Sequence, residues 1–480
     1  MLHKSILPFF LFMLLLAGSS AQAAAPGPDG VGMQEADFPA PLRVLIDVRS
    51  NHSDGAHDFS ALVDMAKKRG IDVLAFTEHD RYSIRLGIEP VPWLLGFSMQ
   101  HPSLYVTGVD QFFEDLKYLA AQHPKMLFMA ASESTPGYTW SGTPFIDLSL
   151  HNAERHIIAL GLERAEQVRA LPSFDLRHAH GPFALSMMFW VGLVFTVMII
   201  LARKRKRAVA LLLFASFIAF LATWLTRESV DADADFIATA QEQGLYTIWA
   251  HPGTLSGTRP GPMGVQLDTP PYSERVFREP TANAFAAVYG DTDTNTVPGG
   301  LWDRYMFDYM TGLRSAPIWA ASAGDYHEEG QSGETLGNFP MDVWAGEKSA
   351  GSILTALRAG HAVAWRSPAG KGFRVGNLYL EDAGGQRLLP GDEAVVAADV
   401  SIHFSLTHGS QGAGAFATGS PIGVRIIADG RLIRQMKLDE KGELEQVLHL
   451  GPGAHVLRLD IPNGRAGTMV ANPFLLRVRD

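Results

Sequence analysis

The chain has 480 residues, of which 40 are Lys or Arg, 50 are Asp or Glu and none is Cys, so its formal net charge is -10. The lack of cysteine excludes disulfides, thiolate metal ligands and cysteine nucleophiles, and the acidic balance disfavours nucleic acid as a partner. At roughly 100 to 200 residues per domain, this length predicts two or three domains.

The N-terminal residues predict a secretory signal peptide over 1–24. Lys4 is followed by the apolar run Ile6–Ala17 and then by small residues, among which Ala21–Ala23 offers a peptidase site. An uncleaved anchor helix is the alternative, because it shares the same apolar run. Residues 25–40 are expected to form a linker.

Short apolar runs that favour β-strands alternate with helix-like stretches, first over 41–182 and again over 226–368. This alternation is typical of a parallel sheet whose strands are joined by helices. A closed barrel of β-strand and α-helix units is therefore expected. The strand-like runs lie at 43–46, 72–76, 126–129, 156–160, 246–250, 285–289 and 317–321.

Two apolar stretches interrupt this alternation and predict a transmembrane hairpin over 183–225. Phe183–Ala202 and Ala208–Leu225 each approach the ~20 residues that span a hydrocarbon core, and the five consecutive cations at 203–207 lie between them. A short basic loop stays in the cytoplasm, so we expect an inner-membrane protein with both soluble domains on the periplasmic side. A buried core hairpin is the alternative, but a core cannot cheaply bury five cations.

The remaining segment, 369–480, predicts an antiparallel β-sandwich. Its strand-like runs are separated by turn signals, and Asp429-Gly430 is a typical hairpin turn between two of them. No clustered His and carboxylate motif is visible in this segment.

Metal-ligating side chains recur at the ends of the strand-like runs. In a parallel barrel these ends converge on one face, so ligands far apart in sequence would form one ring. Histidine with carboxylates and no thiolate suits Zn, Mn or non-haem Fe. The candidates are Asp47, His79, Glu133, His251, Asp325 and His327, with Arg49 just after the first run.

In this order, the residues resemble the motifs of the PHP family, named for polymerase and histidinol phosphatase. The resemblance covers about residues 41–365 and implies a metal-dependent phosphoesterase on a distorted (β/α)7 barrel, here interrupted by the hairpin and followed by the sandwich. The residues around Asn472 are also similar to exported relatives in the carbaryl-hydrolase-like branch. The motifs are Ser53-Asp54-Gly55, Thr77-Glu78-His79-Asp80, Glu133, His156, His251-Pro252, Asp325-Tyr326-His327 and Ala471-Asn472-Pro473-Phe474.

The resemblance implies two or three divalent ions per chain (Zn, Mn or Fe). Each of two sites would take three ligands. A third site normally uses a His-x-His pair, but here Asp47-Val48-Arg49 replaces it, and a guanidinium has no acceptor for a metal. The implied ligand sets are Glu133, His156 and His251; Asp54, His79 and His327; and, for the third site, Asp47 beside Glu133 and Asp325.

Three polar residues near the implied sites have open roles. Arg49 is a substrate clamp, a substitute for a metal ion, or a structural ion pair with Asp47 or Asp325. His52 is a candidate substrate contact or proton donor, or a loop histidine without a role. Glu78 is expected to orient a ligand imidazole.

The expected function is hydrolysis of a phosphate ester by metal-activated water. Arg49, Glu133 and His79 are the candidate catalytic residues, and the substrate is expected to be a small-molecule or membrane-associated phosphate or ester, with the lipid bilayer as a partner. The alternatives are a carbamate or carboxylester hydrolase and a non-catalytic ligand-binding protein.

Overall fold

The computed structural model describes residues 38–89, 91–92, 94–174, 181–204, 214–218, 221, 231–278, 281–289, 292–331, 335–367, 372–408 and 421–479. The predicted signal peptide at 1–24, most of the linker at 25–40 and most of the basic loop at 203–207 lie outside these residues.

Most helices lie in the first three quarters of the chain, and several begin at a side-chain cap. Asp58 accepts a hydrogen bond from the Ala61 backbone N–H at 2.8 Å, and Ser349 accepts one from Ser352 at 3.2 Å. Such caps satisfy backbone donors that have no partner within the helix. The helices include α1 Phe59–Lys68, α2 Leu104–Thr107, α3 Val109–Gln122, α4 Ala165–Ala170, α5 Phe183–Lys204, α6 Ala232–Glu242, α7 Ser273–Val276, α8 Leu301–Met310 and α9 Ala350–Ala359.

Among the described residues, the strands form one sheet of fifteen strands, two sheets of four strands and one sheet of two strands. They are β1 Leu42–Val48, β2 Val73–His79, β3 Ser83–Gly87, β4 Gly96–Gln100, β5 Leu127–Ser134, β6 Thr139–Ser141, β7 Ser149–His151, β8 Ile157–Leu162, β9 Tyr246–Trp249, β10 Thr258–Pro260, β11 Gln266–Asp268, β12 Ala284–Ala286, β13 Trp319–Ala321, β14 Pro340–Val343, β15 Ala362–Arg366, β16 Phe373–Asp382, β17 Arg387–Leu388, β18 Glu393–Val396, β19 Asp399–His408, β20 Gly423–Ala428, β21 Arg431–Lys437, β22 Glu443–His449, β23 Gly453–Ile461, β24 Thr468–Ala471 and β25 Phe474–Val478.

The first part of the chain is organised by a curved sheet in the order β13-β12-β9-β8-β5-β2-β1. Its strands are rich in buried aliphatic side chains on both faces, as expected of strands covered on both sides. The segment after β13 returns to β1, where Tyr326 N–H donates to the Asp47 carbonyl at 3.0 Å and Arg49 N–H donates to the Tyr326 carbonyl at 2.9 Å. These bonds close the seven strands into a ring at one end.

The ring is not the all-parallel barrel that the sequence predicted. Strand β8 runs antiparallel to both of its neighbours, β5 and β9. Its first residue, Ile157, therefore lies beside Ser134 and Trp249, at the carboxyl ends of those strands. This reversal determines where His156 lies.

The predicted transmembrane hairpin at 183–225 is wrong. Among the described residues, no helix combines the length and apolarity that crossing a membrane requires. The start of α5 is instead bonded to the loop after β3, since Ser186 accepts from the Glu89 N–H at 3.0 Å and Trp190 Nε1 donates to the Glu89 carbonyl at 2.6 Å. Of the second apolar run, only 214–218 and 221 are described. The predicted inner-membrane localisation depended on this hairpin, so it is not supported either.

The C-terminal region contains two facing groups of strands. One sheet has the order β17-β16-β19-β22, and the other group, which includes β23, β20 and β21, continues from the curved sheet through the pairing of β15 with β24. Side chains such as Trp365, Phe404 and Phe474 form a separate apolar core there. Asn472 joins this region to the ring, because its Oδ1 accepts from the Ala320 N–H at 2.8 Å.

Candidate metal centre

The structure brings all eight predicted metal ligands together at the closed end of the ring. Asp47, His79 and Glu133 lie in the last part of β1, β2 and β5, and the others lie on the segments that adjoin strand ends. The other ligands lie at or after the carboxyl end of a strand. His156 instead precedes β8, and it lies at the centre because β8 runs in the opposite direction to its neighbours. Three groups of these side chains could each hold a metal ion, with ligand atoms within 4.8 Å of one another.

The first group consists of Asp54, His79 and His327. Asp54 Oδ2 lies 3.4 Å from His79 Nε2 and 3.3 Å from His327 Nε2, so one carboxylate oxygen faces both imidazoles. His79 is buried, whereas the side chains of Asp54 and His327 keep about a quarter of their surface exposed. This group therefore opens onto solvent.

The second group consists of Glu133, His156 and His251. The two Glu133 oxygens divide between the histidines, with His156 Nδ1 3.1 Å from Oε2 and His251 Nε2 3.3 Å from Oε1. All three residues are buried. Glu133 is the shared residue of the centre, because it belongs to the third group as well.

The third group, Asp47, Glu133 and Asp325, surrounds the guanidinium of Arg49. Arg49 Nη2 donates to Glu133 and, at 3.1 Å, to Asp325, and Nη1 lies 3.6 Å from Asp47 Oδ1. The charge thus stands among the three carboxylates that would otherwise hold an ion. The Arg49 side chain is 1% exposed. Further partners are the Thr77 carbonyl at 2.6 Å, His327 Nε2 at 3.2 Å and Asp54 Oδ1 at 3.5 Å.

The pKa values at the centre follow from burial and from Arg49. Burial, reinforced by the charge of Glu133, raises the pKa of Asp47 to about 7. For Glu133, burial acts upward, but the charges of Arg49 and His156 outweigh it and hold the pKa well below its usual range. For His251, hydrogen bonding to Glu133 overcomes the effect of burial and raises the pKa to about 9. The cluster of carboxylates thus favours a positive charge at this site, as the raised pKa of His251 shows.

Three of the predicted ligands have a left-handed backbone. The φ angles are +69° at Asp47, +29° at His251 and +44° at Asp325. Such angles are uncommon for residues other than glycine and cost of order 1–3 kcal/mol each. The surrounding contacts hold them, as when Asp47 Oδ2 accepts from the Asp325 N–H at 2.7 Å. Strain is therefore concentrated at the candidate site.

Glu78 holds the loop that carries Asp54. It is fully buried and accepts from the Ser50 N–H at 3.0 Å, from the Ser50 hydroxyl at 2.6 Å and from the Ser53 hydroxyl. Glu78 therefore orients this loop, whereas the sequence predicted that it would orient a ligand imidazole. Gly55 belongs to the same tight loop, since a Cβ there would lie 2.5 Å from the Arg49 carbonyl oxygen.

His52 and Tyr289 show where sequence reasoning fell short. The His52 ring stacks on Phe59 and its Nε2 lies 3.0 Å from Asp115 Oδ2, so this residue lies outside the cavity of the centre. Tyr289 was not singled out, yet its hydroxyl donates to Asp325 Oδ2 at 3.2 Å. The available signal was its position at the end of a strand-like run, the same position that marked the ligands.

A cavity of about 230 Å³ lies over the centre. Six ligands line it, together with Arg49, Tyr82, Tyr289 and polar residues of the segment after β9. Asp47 and Glu133 lie beneath this surface and are fully buried. The lining ligands are Asp54, His79, His156, His251, Asp325 and His327.

The donor set fits divalent Zn, Mn or Fe, since it combines imidazole nitrogens with carboxylate oxygens. Three of the ligand residues also carry a buried atom without a hydrogen-bond partner, namely Asp47 Oδ1, Glu133 Oε1 and His156 Nε2. Buried polar atoms of this kind are costly unless a proton donor or an ion satisfies them.

Comparison with solved structures finds weak likeness to metal-dependent hydrolases. A two-domain protein from Bacteroides vulgatus that contains a predicted PHP-like metal-dependent phosphoesterase is 13% identical, with 93% of this chain and 99% of that chain covered and a TM-score of 0.36. A predicted metal-dependent phosphoesterase from Bifidobacterium adolescentis is 11% identical, with coverages of 63% and 92% and a TM-score of 0.29.

An amidohydrolase from Chromobacterium violaceum, with bound sulfate and no metal, is 13% identical, with coverages of 60% and 88% and a TM-score of 0.24. No family model matches the chain, and no curated protein matches it. The likeness is too weak to transfer an activity.

Proposed function

We propose that this chain is a metal-dependent hydrolase that cleaves a phosphate ester with two divalent ions. The supporting observation is that two ligand triads, Asp54 with His79 and His327 and Glu133 with His156 and His251, meet at one open cavity. Each triad offers three protein ligands, which leaves coordination positions for water and substrate, as in catalytic rather than structural sites.

When bound, the ions would supply a deprotonated water near neutral pH and would stabilise negative charge on the phosphoryl oxygens. The protein fixes their places through buried side chains. Glu133 orients His156 and His251 with separate oxygens. Such support keeps ligands in one geometry and tunes their basicity.

Arg49 acts in this proposal as a substitute for a third ion. A guanidinium has five N–H donors, and here four of them are used by His327, Thr77, Glu133 and Asp325, while Nη1 also faces Asp47. With its side chain 1% exposed, no donor is left to grip a substrate. A fixed positive charge at the floor of the cavity is therefore favoured over the clamp role.

Metal content of the full chain, purified without chelators, tests the proposal. We expect two equivalents of Zn, Mn or Fe, and the loss of about one equivalent in each of His251→Ala and His327→Ala. His449→Ala, an exposed histidine of the C-terminal region, is the matched control. If no metal binds even after reconstitution, the centre is not a metal site and a non-catalytic binding protein becomes the better description.

Activity then distinguishes the substrate classes. The metal-loaded chain should release phosphate from 4-nitrophenyl phosphate, and both histidine variants should lose this activity. Hydrolysis of 4-nitrophenyl acetate without any release of phosphate would instead favour the carboxylester alternative.

A further inference from the structure

A second cavity, of about 400 Å³, lies beside the metal centre. Two small sheets enclose it, the β3–β4 hairpin and the four-stranded sheet β10-β11-β7-β6. Its volume falls within the roughly 300–1,000 Å³ of pockets that hold small molecules. Neither small sheet belongs to the ring, so this cavity is formed by elements outside the ring.

The wall of this cavity is apolar. Strands of the two sheets alternate, and the inward positions carry aliphatic or aromatic side chains. Two further apolar residues at the cavity, Phe97 and Met263, are 68% and 89% exposed. A concave apolar wall with exposed apolar residues indicates a binding site for an apolar group. The inward residues include Ile84, Leu86, Trp140, Leu150 and Leu267.

The outward positions of the same sheet are polar and bonded to one another. Ser141 Oγ lies 2.6 Å from His151 Nε2, and His151 Nδ1 lies 2.7 Å from Asp268 Oδ2. This chain of bonds crosses β6, β7 and β11 and holds them in register. The wall is therefore preformed, and its outer face offers matched control positions.

The two cavities adjoin. Tyr82, Glu154 and Arg259 line both of them. The Tyr82 ring centroid lies 4.8 Å from that of His79 in the first triad and 4.5 Å from that of His101, which lines the apolar cavity. A molecule held at the metal centre can thus extend past Tyr82 into the apolar cavity.

The junction carries no excess charge. Arg259 pairs with Glu154 through its two terminal guanidinium nitrogens, with Nη1 donating at 2.6 Å. This neutral pair separates the charged centre from the apolar wall, so the part of a ligand that enters the cavity must itself be uncharged, since an ion there would lose its hydration without gaining a partner.

We propose that this cavity binds a bulky uncharged apolar group, aromatic or alkyl, of the substrate whose phosphate ester lies at the metal centre. The inference rests on the proposed function for the ester and adds the substrate class. It predicts selectivity for esters of large apolar alcohols or phenols over small ones.

The test uses two readouts on the full chain. The first is calorimetric binding of 4-phenylphenol to the metal-free protein, which needs no catalysis. The second is kcat/KM of the metal-loaded protein for 4-phenylphenyl phosphate against phenyl phosphate, two esters whose leaving groups have similar acidity. Leu267→Trp fills the cavity, Trp140→Ala enlarges it, and Ser141→Ala changes only the outer face of the same sheet.

We expect the wild type to bind 4-phenylphenol and to prefer the larger ester by about tenfold or more. Leu267→Trp should lose both properties, Trp140→Ala should weaken both, and Ser141→Ala should lose neither. Thermal melting of each variant shows whether it folds. If Leu267→Trp does not fold, Trp140→Ala alone provides the test.

The outcomes separate the two proposals. Binding of 4-phenylphenol that is sensitive to Leu267→Trp, without hydrolysis of either ester, would support the cavity and reject the phosphoesterase. Equal kcat/KM for both esters, together with no binding of 4-phenylphenol, would overturn the cavity assignment and leave the phosphoesterase standing.

Discussion

Arg49 places a fixed positive charge among the carboxylates of Asp47, Glu133 and Asp325. A divalent ion in that position would neutralise the same charges, so the arginine and an ion are alternatives for one space. Arg49 and Glu133 are both fully buried, and burial of these two charges is tolerable only because they are paired with each other. The sequence showed that Arg49 cannot ligate a metal, but only the structure shows how many partners it has.

Replacing Arg49 by alanine should therefore raise the metal content. We expect Arg49→Ala to bind about one more divalent ion per chain than the wild type, because Asp47, Glu133 and Asp325 lose their cation. Without metal, the uncompensated carboxylates should lower the free energy of unfolding by about 3–5 kcal/mol. Elemental analysis and denaturant unfolding with and without chelator measure the two effects.

Arg49→Lys is the matched control, since it keeps a charge in the same place and should add no ion. Unchanged metal content in Arg49→Ala would show that the guanidinium does not occupy a metal position.

At the scale of elements, the order of strands and ligands could be predicted, but the direction of β8 could not. Apolar periodicity marks a strand at 156–160 without stating which way it runs. The short strands β6 and β7 precede it in the loop after Glu133 and left no strong pattern. Consequently His156 was found through the resemblance to known motifs rather than through the rule that ligands follow strands.

The loop between β1 and α1 is a second element whose behaviour depends on one side chain, Glu78. Glu78→Ala would leave the Ser50 N–H and two hydroxyls without their acceptor, so we expect a loss of about 1–3 kcal/mol in the free energy of unfolding. The loop carries Asp54, and therefore the first triad should bind its ion more weakly, while the second triad is unaffected.

A metal titration followed by calorimetry should resolve this difference as one weakened equivalent out of two. Glu78→Gln keeps an acceptor and should fall between the wild type and Glu78→Ala. Equal weakening of both equivalents would mean that Glu78 supports the centre as a whole rather than this loop.

At the scale of the whole molecule, hydropathy was the least reliable guide. The run beginning at Phe183 has the length and composition of a membrane span, yet no described helix meets the requirements for one. Composition does not show the bonds that the start of α5 makes to Glu89. The β-rich character of the C-terminal region was easier to predict, since strand alternation is a local signal.

The ring and the C-terminal region are joined by buried polar bonds as well as by a shared sheet. Arg458 on β23 is buried, and its Nε donates to Asp303 of α8 at 2.8 Å while Nη1 donates to Asp460. Its Nη2 donates to the Thr296 carbonyl at 2.7 Å. With Asn472 bonded to β13, these contacts imply that the two regions unfold together.

Arg458→Ala tests this coupling. Asp303 would remain buried without its cation, and Asp460 would keep only Arg425 at 3.8 Å, so we expect a loss of about 3–5 kcal/mol in the free energy of unfolding. Arg477→Ala is the matched control, because Arg477 pairs with Glu393 at 3.2 Å with its side chain 49% exposed and should cost less than about 1 kcal/mol. The wild type should show a single transition in both calorimetry and circular dichroism. Two separate transitions in the wild type would show instead that the C-terminal region folds independently of the metal centre, and that Arg458 stabilises a contact between two autonomous units.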